Sequence, residues 1–287
     1  MSVAPDQPTA RAGVVGYPIK HSLSPVLHGH WLKRYGIKGR YDAVEISPDR
    51  FADDMRALLQ QPDWRGCNVT VPHKEAAFRL VDHHDEAAQR LGAVNTIVKR
   101  DDGSLEGRNT DLYGFRRNLE TAPGFDGVGR GRAVVIGAGG AARAVVAALQ
   151  DLGFARIHLV NRTRAKADDL AASLGGAIDT AAMDDVAPLL PSADLLVNTT
   201  SLGMVAQPPL ELPLAGLKPG AFVTDIVYNP LETDLIARAR AAGHPSVDGL
   251  GMLLHQAVPG FVAWFNPPEV PPVDAALRDT VLKAMGQ

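Results

Sequence analysis

Residues 134–149 read VVIGAGGAARAVVAAL. A short apolar run, a glycine-rich turn and then a stretch with the pattern of an amphipathic helix follow one another, a layout that suits a nucleotide pyrophosphate. Gly137 allows the tight turn, Gly139 removes the side chain where backbone must approach a phosphate, and Ala142 permits close packing of helix on strand. The helix N-terminus then turns its free N–H groups toward the anion.

Glycine turns also serve plain strand–helix connections, so the next strand decides more. IHLV, from Ile157, runs into Asn161, about twenty residues past the glycines, where an NAD site places an acid on the ribose 2′-hydroxyl. No acid stands there. Asn161, Arg162, Thr163, Arg164 and Lys166 cluster instead, offering donors and positive charge that match a 2′-phosphate dianion. NADP is therefore expected rather than NAD. A solvated charge cluster is the alternative, but cations at a helix N-terminus oppose the macrodipole, and a bound anion accounts for them better.

Around this unit the chain alternates. VVGYPI from Val14, YDAVEI from Tyr41 and GCNVTV from Gly66 read as strands, with helices expected over residues 25–35 and 48–60, the second capped by Ser47 with Pro48 in first position. AVNTIVKR and SLEGR form a predicted hairpin at Asp101-Asp102-Gly103, and Asp111–Glu120 a helix. Past the glycine turn, ADLLVN, AFVTDIVY and a segment near Val247 are expected strands, LIARARAAG a helix, and GMLLHQAVPGFVAWF an apolar helix that packs back on the first domain. The fold class is α/β with two domains. Residues 1–117, completed by helices in 252–287, form an N-terminal α/β substrate domain; residues 118–251 form a Rossmann-type doubly wound parallel sheet for NADP.

Composition bounds the rest. The 287 residues are 46% hydrophobic with net charge −3, and no basic stripe suggests nucleic acid. The single cysteine, Cys67, cannot form an internal disulfide, and no apolar stretch reaches the roughly 18–20 residues of a membrane span. A cytoplasmic enzyme, monomer or homodimer, is expected, with MSVAPDQPTAR a loose polar tail and not a signal peptide. No metal-ligand pattern stands out.

Two domains imply a cleft where chemistry gathers. NVTVPHKE puts Asn68, Thr70 and Lys74 at a strand end and helix start, where ligands bind in parallel sheets; Lys74 could serve as acid or base, or be a plain surface lysine. Asp111 sits at another helix start with Asn109 and Thr110 able to cap, which leaves its carboxylate available. Ser22 and Ser24 can cap a helix or hold a carboxylate, and GAVNT adds Asn95. His73 beside Lys74 is expected to pack or face solvent, and Trp31 and Trp64 to be core or interface residues.

These segments in their order, GYPIKHSLSP, NVTVPHKE, GAVNT, NTD, GAGGAARA, NRT, NTTSLGM, DIVYNP and DGLGMLLHQA, resemble the shikimate dehydrogenase family, which interconverts 3-dehydroshikimate and shikimate with NADP. The resemblance runs from about Gly13 to Ala257. It implies that Ser22 and Ser24 hold the substrate carboxylate, that Thr70, Asn95, Asp111 and Gln256 meet ring hydroxyls with Asn68 beside them, and that Lys74 and Asp111 form the catalytic pair. It gives Gly137, Gly139, Gly140 and Ala141 to the pyrophosphate, and Asn161, Arg162 and Thr163 to the adenosine ribose and 2′-phosphate. Met204, Tyr228 and Gly249 line the nicotinamide side, Tyr228 also counting as a substrate residue. Where many relatives carry a second arginine this chain has Lys166 with Arg164 close by, which makes the phosphate contact less bidentate. Ser24 favours shikimate over quinate, since quinate-using relatives often replace that serine; a silent NADP-binding sensor on the same fold is opposed by the presence of Lys74 and Asp111.

Overall fold

A computed structural model describes residues 10–287 of the chain, so most of the expected polar tail lies outside the described residues. Its last two residues, Ala10 and Arg11, are not tail: they open strand β1 (Ala10–Gly16), and the Arg11 guanidinium meets Asp42 at 3.0 Å and Asp63 at 3.4 Å. The chain divides into two compact units, residues up to Thr110 together with Gln256–Gln287, and Asp111–His255.

In the first unit β1 is followed by α1 (Ser24–Arg34), β2 (Gly39–Glu45), α2 (Phe51–Gln60), β3 (Trp64–Val69), α3 (Lys74–Leu80), β4 (His83–His84), α4 (Glu86–Leu91), β5 (Thr96–Lys99) and β6 (Leu105–Arg108). The sheet order is β2-β1-β3-β5-β6-β4. β1 pairs in parallel with β2 and β3, whereas β5 runs antiparallel to β3 and β6, so the predicted hairpin sits inside a mixed sheet. The expected helix over 48–60 is shorter. Pro48–Arg50 forms a single 3-10 turn, and Ser47 makes no cap, its hydroxyl bonding the Asp49 carboxylate instead. Trp31 and Trp64 are core residues of this unit, at 0% and 1% exposure.

The second unit opens on α5 (Asp111–Glu120), then β7 (Arg132–Ile136), α6 (Gly140–Asp151), β8 (Arg156–Asn161), α7 (Arg164–Leu174), β9 (Ile178–Ala182), β10 (Leu195–Asn198), β11 (Phe222–Asp225), α8 (Asp234–Ala241) and β12 (Ser246–Val247). Its sheet, β12-β11-β10-β7-β8-β9, is wholly parallel, with the strand order of a dinucleotide-binding sheet and its reversal between β7 and β10. Along β7, Ala133 and Val135 enter one apolar core while Val134 and Ile136 enter the other. A strand covered on both faces reads as a continuous apolar run, which is why VVI carries no alternation. The edge strand β9 escaped the sequence because its residues are only half-buried. β11 ends at Asp225, three residues before the expected Tyr228, because the Asp225 carboxylate accepts the Val227 N–H and turns the chain.

The helix α9 (Leu250–Phe265) returns the chain to the first unit from Gln256 on, and α10 (Ala275–Ala284) ends it. There Trp264 Nε1 donates to the Ile97 carbonyl at 2.9 Å, and the Asp274 carboxylate caps α10. The sequence puts the domain boundary at 117/118. Phe115 and Leu119 of α5 already lie in the second unit's core, against Val145 and Leu149 of α6, so the compact units divide one helix earlier.

Candidate active site

In the first unit the C-terminal ends of β1 and β3 and the start of β5 collect the polar residues. Asn68 (5% exposed) is the next-to-last residue of β3 and Asn95 (2% exposed) precedes β5. Burial of unpaired amides costs free energy, so each is bonded. Asn68 Nδ2 donates to the Asn95 carbonyl at 3.2 Å and to Thr96 Oγ1 at 3.0 Å. Asn95 Oδ1 accepts the Thr110 N–H at 2.8 Å, its Nδ2 donates to Thr110 Oγ1 at 3.1 Å, and Thr110 Oγ1 reaches Gln256 Oε1 at 3.4 Å. The structure thus brings Asn68, Asn95 and Gln256 into one network with Thr96, which the sequence reading passed over, and Thr110, which it weighed only as a helix cap.

Ser24 is the first residue of α1 and Ser22 lies just before it; the Ser22 hydroxyl accepts the Ser24 N–H at 3.3 Å and no serine caps the helix by its side chain. Thr70 follows β3, its N–H bonded to the Val15 carbonyl at 2.9 Å. Lys74, half-buried, opens α3, and its carbonyl accepts the Val94 N–H at 3.0 Å, which joins the lysine's backbone to the Asn95 segment. His73 packs, as expected: its ring stacks on Phe51 at 4.5 Å and Nε2 meets the Ile46 carbonyl at 2.7 Å, which makes Nε2 the protonated nitrogen.

In the second unit β7 delivers the chain into the glycine turn. Gly137 has φ +107, and a Cβ there would stand 2.6 Å from Thr199 Oγ1, so this position needs glycine for its conformation and for its neighbour. Gly139 and Gly140 differ. A Cβ at either would touch nothing within 4 Å, so the chain's own packing does not require them, whereas a phosphate lying against the backbone would. Ala141 is half-buried and Ala142 fully buried against the sheet, as close helix packing needs. α6 begins at Gly140 without a side-chain cap, leaving its first N–H groups to a ligand or water.

A cavity of about 300 Å³ adjoins this turn, lined by Gly137, Asn161, Arg162, Met183, Thr200 and Leu202 among others. The Asn161 amide is spent on the loop: Oδ1 accepts the Ala138 N–H at 3.2 Å and Nδ2 donates to the Thr163 carbonyl at 2.8 Å. It ties β8 to the glycine turn. Arg162 lines the cavity and is exposed, and among the described residues it has no ion-pair partner. Arg164 lies 3.8 Å from Asp168, while Thr163 and Lys166 are exposed at the start of α7. A glycine turn at an uncapped helix and a cationic cavity wall without an internal carboxylate partner fit a dinucleotide with a 2′-phosphate.

Asp111 opens α5, and Tyr228 lies past β11, where burial raises its phenol pKa. Met204 is 44% exposed. Gly249 is packed so closely that a Cβ would lie 2.4 Å from the Ile226 carbonyl group, so internal contact alone demands glycine there. The sequence reading missed Asp225 and Asn198, polar ends of two apolar strands. Asn198 Oδ1 accepts from the Thr200 N–H at 3.0 Å and its hydroxyl at 2.8 Å, and Nδ2 donates to the Leu202 carbonyl at 3.1 Å. Asp225 accepts from Asn198 Nδ2 and, at 2.8 Å, from the Thr233 hydroxyl. Together they hold the loop that walls the cavity; the legible signal was a polar residue in each of two otherwise apolar strands, at the end of ADLLVN and inside AFVTDIVY.

Two family profiles match, "Shikimate dehydrogenase substrate binding domain" over residues 14–97 and "Shikimate / quinate 5-dehydrogenase" over residues 122–206. A shikimate dehydrogenase (NADP(+)) of Paramagnetospirillum magneticum is 55% identical over 94% of this chain and 97% of its own. The chain belongs to the shikimate dehydrogenase family. A second family member of that description, from Methylobacterium radiotolerans, is 52% identical over 98% of both chains. Among solved structures, shikimate 5-dehydrogenase from Thermus thermophilus in complex with NADP(H) and shikimate has TM-score 0.84 and 32% identity, covering 96% of this chain and 100% of that one. Quinate dehydrogenase from Corynebacterium glutamicum in complex with NAD has TM-score 0.88 and 30% identity, covering 96% and 99%. The shikimate dehydrogenase fold, with its α/β substrate domain and Rossmann-like sheet, is therefore the fold described above. Among the described residues no helix is long and apolar enough to cross a membrane, and no group of three or more His, Cys, Asp or Glu is placed to hold a metal ion.

Proposed function

We propose that this chain is an NADP-dependent oxidoreductase that interconverts 3-dehydroshikimate and shikimate, a step of aromatic amino acid and chorismate biosynthesis. The observation that carries the reading is the 55% identity with a shikimate dehydrogenase (NADP(+)) running through 94% of the chain, both units included. The first unit is the substrate-binding domain and the second the NADP domain. The enzyme works in the cytoplasm, as a monomer or homodimer, on a small molecule.

Ser22 and Ser24 hold the substrate carboxylate, and Thr70, Asn95 and Gln256 meet the ring hydroxyls with Asn68 beside them. The network above supports this, because it fixes the Asn95 and Gln256 side chains before substrate arrives. Reduction of the ketone adds hydride to carbon and a proton to oxygen. The nicotinamide, when bound, supplies the hydride or accepts it in reverse. Lys74 gives its Nζ proton to the carbonyl oxygen as charge builds there, and takes it back in the oxidation. Such acid–base help is worth roughly a hundred- to ten-thousandfold in rate. Asp111 orients the substrate hydroxyl and the lysine. Gly137, Gly139, Gly140 and Ala141 carry the pyrophosphate. Arg162, Thr163, Arg164 and Lys166 face the 2′-phosphate with Asn161 behind them, while Met204, Tyr228 and Gly249 line the nicotinamide side.

A preference for quinate is the second reading, favoured by the structural similarity to a quinate dehydrogenase at TM-score 0.88. Ser24 and the arginine cluster weigh against it. Following nicotinamide absorbance with shikimate and quinate crossed against NADP and NAD decides between them: turnover confined to shikimate with NADP is the expected result. A preference for quinate or NAD overturns the specificity, and no turnover in any combination overturns the activity.

A further inference from the structure

His28 is completely buried on α1; neither ring nitrogen makes a hydrogen bond of good geometry, although the ring lies close enough to Asn68 to interact with its side chain. It lies flat on Tyr41, with centroids 3.9 Å apart and planes 9° from parallel, and Phe261 and Trp264 flank it at 5.8 Å and 5.7 Å. The stack fixes the Tyr41 ring, whose hydroxyl lies 2.6 Å from Asn68 Oδ1.

The direction of each bond follows from donor chemistry. The Asn95 carbonyl can only accept, so the Asn68 group facing it is the NH₂, and the group facing Tyr41 is the carbonyl oxygen. Tyr41 must therefore donate its one proton to Asn68. Its oxygen can then only accept, and the Ser24 hydroxyl meets it as donor. With both Nδ2 hydrogens and one Oδ1 lone pair engaged, Asn68 can offer a ligand no donor without breaking a bond.

We infer that Tyr41, clamped by His28, is a positioning residue for the substrate: it anchors the Asn68 carbonyl oxygen and the hydroxyl rotor of Ser24. The inference rests on the shikimate reading above. Without the Tyr41 hydroxyl the buried Asn68 Oδ1 loses its donor, leaving the side chain held through Nδ2 alone, and the Ser24 proton loses its acceptor, so binding suffers before chemistry does.

The test is Tyr41→Phe, which keeps the stacked ring, measured beside the wild-type enzyme for kcat and for KM toward shikimate and NADP. The expected result is a shikimate KM raised about five- to tenfold, the scale of one buried hydrogen bond, with kcat within about twofold and NADP affinity by fluorescence titration unchanged. In a double-mutant cycle with Asn68→Ala the Tyr41→Phe effect shrinks, because Tyr41 acts through Asn68. A wild-type shikimate KM in Y41F, an equal loss for shikimate and NADP, or strict additivity in the cycle overturns the inference. Should Y41F fail to fold, His28→Gln, which removes the ring stacked on Tyr41 together with its approach to Asn68, must raise the shikimate KM in the same selective way, and an unchanged KM there overturns it. Failure of the parent reading is separate: it shows as a wild-type enzyme that does not turn over shikimate.

Discussion

Asn198 Nδ2 donates to Asp225 Oδ1 at 3.0 Å where neither residue is more than 1% exposed, and this bond ties together the ends of the adjacent strands β10 and β11, one strand over from the reversal of the sheet. Burial raises the Asp225 carboxyl pKa, opposed by its bonds from the Val227 N–H, Thr233 and Asn198.

Asp225→Ala leaves three buried donors unpaired and is expected to destabilise the protein by about 2–4 kcal/mol in urea denaturation. Asp225→Asn keeps the shape and one acceptor oxygen, so it costs less. Both variants weaken NADP more than shikimate, since the loop they release walls the cavity at Arg162. Equal stability of the alanine variant and wild type contradicts this account.

Lys74→Ala is expected to lower kcat by roughly a hundred- to ten-thousandfold while shikimate affinity, measured by titration calorimetry, stays within a few-fold. Near-normal turnover removes Lys74 from the mechanism.

Arg162→Leu is expected to raise the NADP Kd by about ten- to a hundredfold and the NAD Kd hardly at all, because only NADP carries the dianion that a guanidinium pairs with. Equal losses for both cofactors mean that Arg162 does not read the phosphate.

Burial pushes the His28 pKa down to about 3, and burial with Arg117 nearby takes His255 down to about 4. Each is protonated in the unfolded chain below about 6.5 but not in the folded one, so stability is full above pH 6.5 and falls as pH drops toward those values. The slope is about 1.4 kcal/mol per pH unit for each histidine. Urea midpoints between pH 5 and 6.5, above the carboxylate range, should fall less steeply in His28→Phe than in wild type; identical slopes refute the assignment.

The alternation of apolar runs with glycine and proline breaks, and the spacing from Gly137 to Asn161, were enough to establish two α/β layers and a dinucleotide turn, because period and turn chemistry are local properties of the chain. The ordered motifs likewise named Ser22, Ser24, Lys74, Asp111 and Gln256 as candidates. Direction of a hydrogen bond is different. Asn161 looked like a phosphate donor, yet its amide braces the turn; Asn198 looked like a strand end and Asp225 like the middle of a strand, yet they hold the cavity wall. Tyr41 and His28 lie thirteen residues apart and carried no signal, since a stack between α1 and β2 exists only once the sheet has formed. The sequence by itself determined which groups were present and which elements bore them. Only the tertiary structure decided which of those groups face each other, because a buried donor must find its acceptor wherever packing places one.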